Sequence, residues 1–299
     1  MGLPVAEFND LGIHLLGASL AGEETYLVLP ELNLAFDVGR APREVLAVDH
    51  LFLSHGHMDH AAGIAYYFSQ RMFVDNQPGT VYVPAGLDAP LRELLRIWAQ
   101  IDGQEPAANI VVARPGQDVP LRRDLVVRPF EVNHPSRRRE RGVVRALGFS
   151  AIEVRHKLLP QHEGLTGPQI VELKTQGVPI TRRVEAPLVC YCGDTAPGDF
   201  FELDYVRAAR LLLLECTFFD PDHIRRARQG NHMHVRDLRD VLPKLHNERI
   251  LLTHLSRRTS LAEARAHLRR ELGPDVDPRL SFLMEYRRRR PARGPRPAP

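Results

Sequence analysis

Cysteine occurs only at positions 190, 192 and 216 of 299 residues, and no window approaches ~18 uninterrupted apolar residues. So few thiols cannot make a disulfide framework. Cys190 and Cys192 are two apart on a run that reads as a strand, which puts their Cα atoms near the ~7 Å limit for a bridge. A reducing, cytoplasmic setting is the expectation. The first twenty residues have no basic stretch followed by a cleavable apolar core, so neither a secretory leader nor a membrane span is expected. Charge of one sign is also missing, with 40 basic against 37 acidic residues and a formal charge of +3, too little for nucleic-acid binding by bulk charge. Lysine is nearly absent, at 157, 174 and 244 only, which leaves 37 arginines. Arginine grips phosphate with a planar fork, so the clusters at 137–145, 225–228, 257–258 and 287–290 read as a phosphate-binding surface or as a compositional bias toward Arg.

What remains is an ordinary globular content, 43% hydrophobic and 26% charged, too apolar for disorder. Short apolar runs bounded by turn residues read as strands at 25–29, 34–37, 50–53, 81–83, 110–112 and 125–132. Helical spacing appears at 62–68, 91–101, 168–176, 235–246 and 261–272. There is no fixed-period repeat, and no linker-like stretch divides residues 2–286. One α/β domain over 1–286 is expected, followed by a basic, proline-rich tail over 287–299 that reads as disordered, or else as an arm touching nucleic acid.

The chemistry sits in LFLSHGHMDHAAG, where a buried strand runs straight into His55, His57, Asp59 and His60. Imidazole and carboxylate are borderline ligands suited to zinc, and four of them within six positions are too dense to be core filling. Later apolar runs also end in single potential ligands, at His134, Asp194 and His254, with successive gaps of 74, 60 and 60 residues from His60. Successive strands would thus each bring one ligand to a common rim. Seven ligands suffice for two metals and are too many for one tetrahedral ion.

This constellation resembles the metallo-β-lactamase fold and, within it, the ribonuclease Z family that trims tRNA precursors. The narrower resemblance is carried by Gly17, Gly22, Glu24, Thr25 and PELNLAFDVGRAP, by HKLLPQHEGLTGPQIVELKTQGVPIT, and by CGDT, LLLLECTFFD and ILLTHLS, all similar to the short, plant-type enzymes. It implies a single-domain αββα sandwich and two Zn2+ ions per chain. It assigns His55, His57 and His134 to one ion and Asp59, His60 and His254 to the other, with Asp194 bridging. It further implies a proton-donating His232 supported by Glu215, a precursor tRNA substrate and a homodimer. His234, two residues on, is the alternative donor.

The expected reaction is endonucleolytic cleavage on the 3′ side of a precursor tRNA, with Asp59 and Asp194 orienting the metals and the attacking hydroxide. The other reading is a small-molecule phosphodiesterase or another ester hydrolase on the same site. Three departures from the family pattern stand out. The stretch PSRRRERGVVRALG after His134 is longer and more basic, Thr259 replaces an aromatic after Arg258, and little room for a long arm lies between Gly167 and Asp194.

Overall fold

The computed structural model describes residues 3–74, 77–134 and 146–287. The arginines at 137–145 and 288–290, and the tail beyond Arg287, lie outside them. One sheet follows chain order through β1 (Ala6–Asp10), β2 (Ile13–Ala21), β3 (Glu24–Leu29), β4 (Leu34–Phe36), β5 (His50–Phe52), β6 (Thr80–Pro84) and β7 (Asn109–Ala113). The second runs through β8 (Val119–Arg122), β9 (Leu125–Glu131), β10 (Leu147–Leu158), β11 (Thr181–Tyr191), β12 (Leu211–Glu215) and β13 (Arg249–Thr253). The two-residue β14 (Leu255–Ser256) crosses back to pair with β2 of the first sheet, and β15 (Leu280–Phe282) closes the far edge of the second.

Alternation within the strands fixes the layers. In β12, Leu211 and Leu213 enter the core shared with the first sheet, while Leu212 and Leu214 enter a second core with Val206, Leu238, Val241 and Leu268 from helices. A strand buried on both faces has no polar side, which is why LLLL reads as a continuous apolar run. The shared core is aromatic: Phe36 stacks on Phe149 at 6.1 Å and on Tyr191 at 5.4 Å across the two sheets. α1 (Arg43–Leu46), α2 (Met58–Ala61), α3 (Ile64–Val74) and α4 (Asp88–Asp102) accompany the first sheet. After α5 (Gly167–Thr175), α6 (Asp204–Arg207), α7 (Ile224–Gly230), α8 (Leu238–Val241) and α9 (Leu261–Leu272) fall in the half of the chain that builds the second. This is the expected αββα sandwich. Among the described residues, no helix is long and apolar enough to cross a membrane.

Three expectations change. The helix expected over 235–246 is a 3-10 turn at Val235–Asp237, then α8, then a second 3-10 turn at Leu242–Lys244, because Pro243 cannot continue the hydrogen-bond ladder. The hairpin of β1 and β2 was not among the apolar runs, since its polar residues interrupt them. An arm also exists where little room was expected. β10 outruns β9, whose pairing stops at Glu153, and from Val154 to Leu158 it pairs only with Glu185 to Thr181 of β11. This ribbon carries α5, which starts on a Thr166–Gln169 capping box. Half of the ribbon precedes Gly167, so the stretch from Gly167 to Asp194 holds only part of it. Cys190, Cys192 and Cys216 are all free and buried.

Candidate metal centre

The expected ligands all follow strand ends on one edge of the sandwich. β11, β12 and β13 are parallel neighbours, so their carboxyl ends open on the same side and deliver Asp194 and His254 there. β5 ends at Phe52, and the loop after it presents His55 and His57 before α2 places Asp59 and His60 on its first turn. His134 comes three residues after β9 and is held close to Asp194 by Asn133, whose amide donates to Thr195 Oγ1 at 2.9 Å. His254 has a left-handed backbone at φ 59°, a costly conformation for a residue with a Cβ. Its amide donates to Ser19 Oγ at 2.9 Å, tying the turn to the other sheet.

The structure brings all seven residues together in two adjacent groups. One is His55, His57, His134 and Asp194. The other is Asp59, His60 and His254. Asp194 Oδ2 lies 3.4 Å from both His60 Nε2 and His254 Nε2, and 3.6 Å from His55 Nε2, so it faces both groups. The remaining approaches are similar: 3.4 Å between His57 Nδ1 and His134 Nε2, 3.4 Å between His60 Nε2 and His254 Nε2, and 3.3 Å between His254 Nε2 and Asp59 Oδ2. A tetrahedral shell with bonds of ~2.0–2.1 Å has edges of ~3.3–3.4 Å, so these spacings fit ligands around ions better than a packed hydrogen-bond network.

The outward ring nitrogens fix the tautomers. His60 Nδ1 donates to Asp37 Oδ2 at 2.7 Å and His134 Nδ1 to the Asn231 carbonyl at 3.1 Å. Ser54 Oγ gives its proton to Asp37 Oδ2 at 2.8 Å and so accepts from His55 Nδ1 at 3.0 Å. In the same way, Thr217 Oγ1 donates to Glu215 Oε2 at 2.6 Å and accepts from His254 Nδ1 at 2.9 Å. Each of these four rings therefore turns a bare Nε2 inward. His55 Nε2 is buried without any hydrogen-bond partner, the signature of a lone pair meant for a metal. Burial, reinforced by neighbouring imidazoles, holds His55 and His57 below their usual pKa and hence in the neutral, ligating form. Burial works to raise Asp59 and Asp194, yet the surrounding histidines overcome it and hold both carboxylates ionised.

Beside the cluster, His232 Nδ1 donates to Glu215 Oε1 at 2.8 Å, and its ring lies 5.0 Å from that of His134 and 5.3 Å from that of His254. Burial disfavours the cation, but the Glu215 charge and hydrogen bond outweigh it and raise the His232 pKa to about 9. Glu215 belongs geometrically to a further group with Asp194, His232 and His254. Its oxygens are already taken, by Thr195 N at 2.7 Å, His232 Nδ1, Thr217 Oγ1, and Met233 N at 3.3 Å, so it supports side chains rather than an ion. His234 points elsewhere. Its Nε2 meets the Asp220 carbonyl at 2.9 Å and its Nδ1 caps a 3-10 turn by accepting from Arg236 N.

Sequence reasoning missed Asp37, Ser54 and Thr217. Asp37 is fully buried and accepts from Ser54 N, Ser54 Oγ, His60 Nδ1 and Tyr191 OH, all at 2.7–2.8 Å. The signal was available, since Asp37 ends the apolar run of β4 just as Asp194 ends that of β11. Asp37→Ala strands four buried donors, and urea unfolding of the metal-free protein should show a loss of at least ~3 kcal/mol. A loss under ~1 kcal/mol would mean that water replaces the carboxylate.

Residues 27–255 match the Beta-lactamase superfamily domain, whose fold implies divalent metal binding. The protein tRNase Z TRZ1 of Arabidopsis thaliana is 33% identical over 257 residues, covering 84% of this chain and 88% of its own. Nuclear ribonuclease Z of Triticum aestivum is 35% identical over 173 residues, or 58% of this chain and 94% of that one. The crystal structure of the short form of human tRNase Z aligns over 83% of this chain and 87% of its own with a TM-score of 0.51 at 17% identity, a likeness of fold. Matched along most of its length by these relatives and by the superfamily domain, the chain belongs to the ribonuclease Z family of metal-dependent hydrolases with the metallo-β-lactamase fold.

Proposed function

We propose that this protein cleaves precursor tRNA endonucleolytically on the 3′ side of the mature sequence, using two zinc ions. His55, His57 and His134 would hold one ion and Asp59, His60 and His254 the other, with Asp194 shared. Five imidazoles and two carboxylates form a borderline donor set that suits zinc. When bound, the ions supply Lewis acidity and neutralise charge at the scissile phosphate. The observation that carries the reading is the Glu215–His232 pair against the ligand cluster.

Leaving-group protonation falls to the chain itself. With a pKa of about 9, His232 is charged at neutral pH, and Glu215 holds its Nδ1 so that Nε2 is the nitrogen free to give a proton to the departing 3′ oxygen. Asp59 is fixed by the Gly22 amide, which donates to its Oδ2 at 2.7 Å, and orients groups at the opposite side of the cluster. The products are a 3′-hydroxyl on the tRNA and a 5′-phosphate on the trailer.

An RNA substrate is supported by the ribbon of β10 and β11. Exposed Lys157 stands opposite exposed Arg182, whereas Arg183, one position along and opposite His156, is held by Asp118 at 2.7 Å and Glu185 at 2.9 Å. Like charges directly across a strand pair repel, and a phosphate chain lying along the ribbon would relieve them. The other arginine clusters support less: Arg228 is engaged by Asp237 at 2.9 Å, and Arg257 by Glu23.

Homodimerisation belongs to the same proposal. α3 and α4 leave Phe73 74%, Ile101 69% and Trp98 47% exposed, together with Tyr66, Leu94 and Ile97, and a second copy of the chain would cover this apolar face. A cytoplasmic site of action is part of the reading too, on the strength of three buried reduced thiols.

Two experiments follow. His232→Ala should keep its metal content while single-turnover cleavage of a precursor tRNA falls by ~10²- to 10⁴-fold. Near-normal cleavage would remove His232 from the reaction, and equal kcat/KM for a chromogenic phosphodiester and the tRNA would favour the small-molecule reading. For the assembly, light scattering after size exclusion should find a dimer for the wild type and a folded monomer for Ile101→Asp. Trp98 is the only tryptophan, so its emission should move to the red as the monomer forms. A monomeric wild type at tens of micromolar would contradict the dimer.

A further inference from the structure

Glu215 does not serve His232 alone. Its Oε1 accepts from His232, while its Oε2 accepts from Thr217 Oγ1 at 2.6 Å, and that hydroxyl in turn accepts from His254 Nδ1 at 2.9 Å. A hydroxyl has one proton to give. Because that proton is committed to a carboxylate whose other positions are filled by Thr195 N and Met233 N, Thr217 can meet His254 only as an acceptor. His254 is thereby locked with its proton on Nδ1 and its lone pair on Nε2, the atom 3.3 Å from Asp59 Oδ2 and 3.4 Å from Asp194 Oδ2. Thr217 is itself buried, and its carbonyl accepts from the Ser256 amide at 3.2 Å, so the residue cannot move without disturbing the turn that carries His254.

We propose that Thr217 is a positioning residue that joins the proton-donor pair to the metal ligand His254, so that one buried carboxylate, Glu215, sets both imidazoles. The inference rests on the two-zinc reading above and adds a residue to it. Its consequence is selective: the loss of Thr217 Oγ1 frees the His254 ring to flip or change tautomer, and the ion held by Asp59, His60 and His254 loses affinity. The ion held by His55, His57 and His134 keeps it, because its outward nitrogens do not depend on Thr217.

The test uses zinc alone, titrated into the metal-free full chain against a chelating indicator. Thr217→Val keeps shape and removes the hydroxyl. One of the two zinc equivalents should weaken by ~10- to 100-fold, the usual cost of losing a ligand's outer partner, while the other is unchanged. Thr217→Ser should restore it. Glu215→Gln should weaken the same equivalent, and the Glu215→Gln/Thr217→Val double variant should be no weaker than the worse single one, because the two act in one chain of hydrogen bonds. Thr217→Ala replaces the valine variant if thermal unfolding shows that valine is not tolerated. Two wild-type-like zinc equivalents in the Val or Ala variant, or a Ser variant that fails to recover, would overturn the proposal. A wild type that binds no second zinc would overturn it together with the two-zinc reading.

Discussion

The site depends on a buried carboxylate accepting from the nitrogen of an imidazole that faces away from the cluster. Asp37 does this for His60 directly and for His55 through Ser54; Glu215 does it for His232 directly and for His254 through Thr217. Each carboxylate thus governs one ring by contact and a second through a hydroxyl. A buried charge of this kind is expensive unless every lone pair is used, and here backbone amides and Tyr191 complete the set. The sandwich makes this possible because Asp37 and Glu215 sit at the ends of β4 and β12, in sheets whose shared core brings those ends together.

The αββα fold was legible because the second sheet's central strands are apolar on both faces and the helices carry an apolar stripe. The seven candidate ligands were legible for a related reason: an apolar run that stops at a single His or Asp marks a strand delivering one polar side chain to a rim. Asp37 obeys that rule and was still missed, since a lone acid after a three-residue strand carries no pattern of its own. Thr217 offered no signal at all. Its role arises only when β12 and β13 lie side by side and bring Glu215 and His254 within reach of one hydroxyl.

The choice between His232 and His234 shows where sequence stops. Both precede the same 3-10 turn, and both could be read as its start. The αL residue Asn231, φ 51°, ends α7 and turns the chain so that His232 meets Glu215 while His234 becomes the cap of the next turn. The arm was hidden for a similar reason, being made of two strands separated in sequence by the helix they carry.

The central claim is that two ions share Asp194. Zinc content after exhaustive dialysis tests it most directly, measured by elemental analysis on the wild type and on Asp194→Ala. The account predicts two ions per wild-type chain and fewer than one in the variant, because Asp194 would serve both ions and its loss would weaken the hold of each. A variant that kept both ions, or a wild type that held only one at saturating zinc, would contradict it.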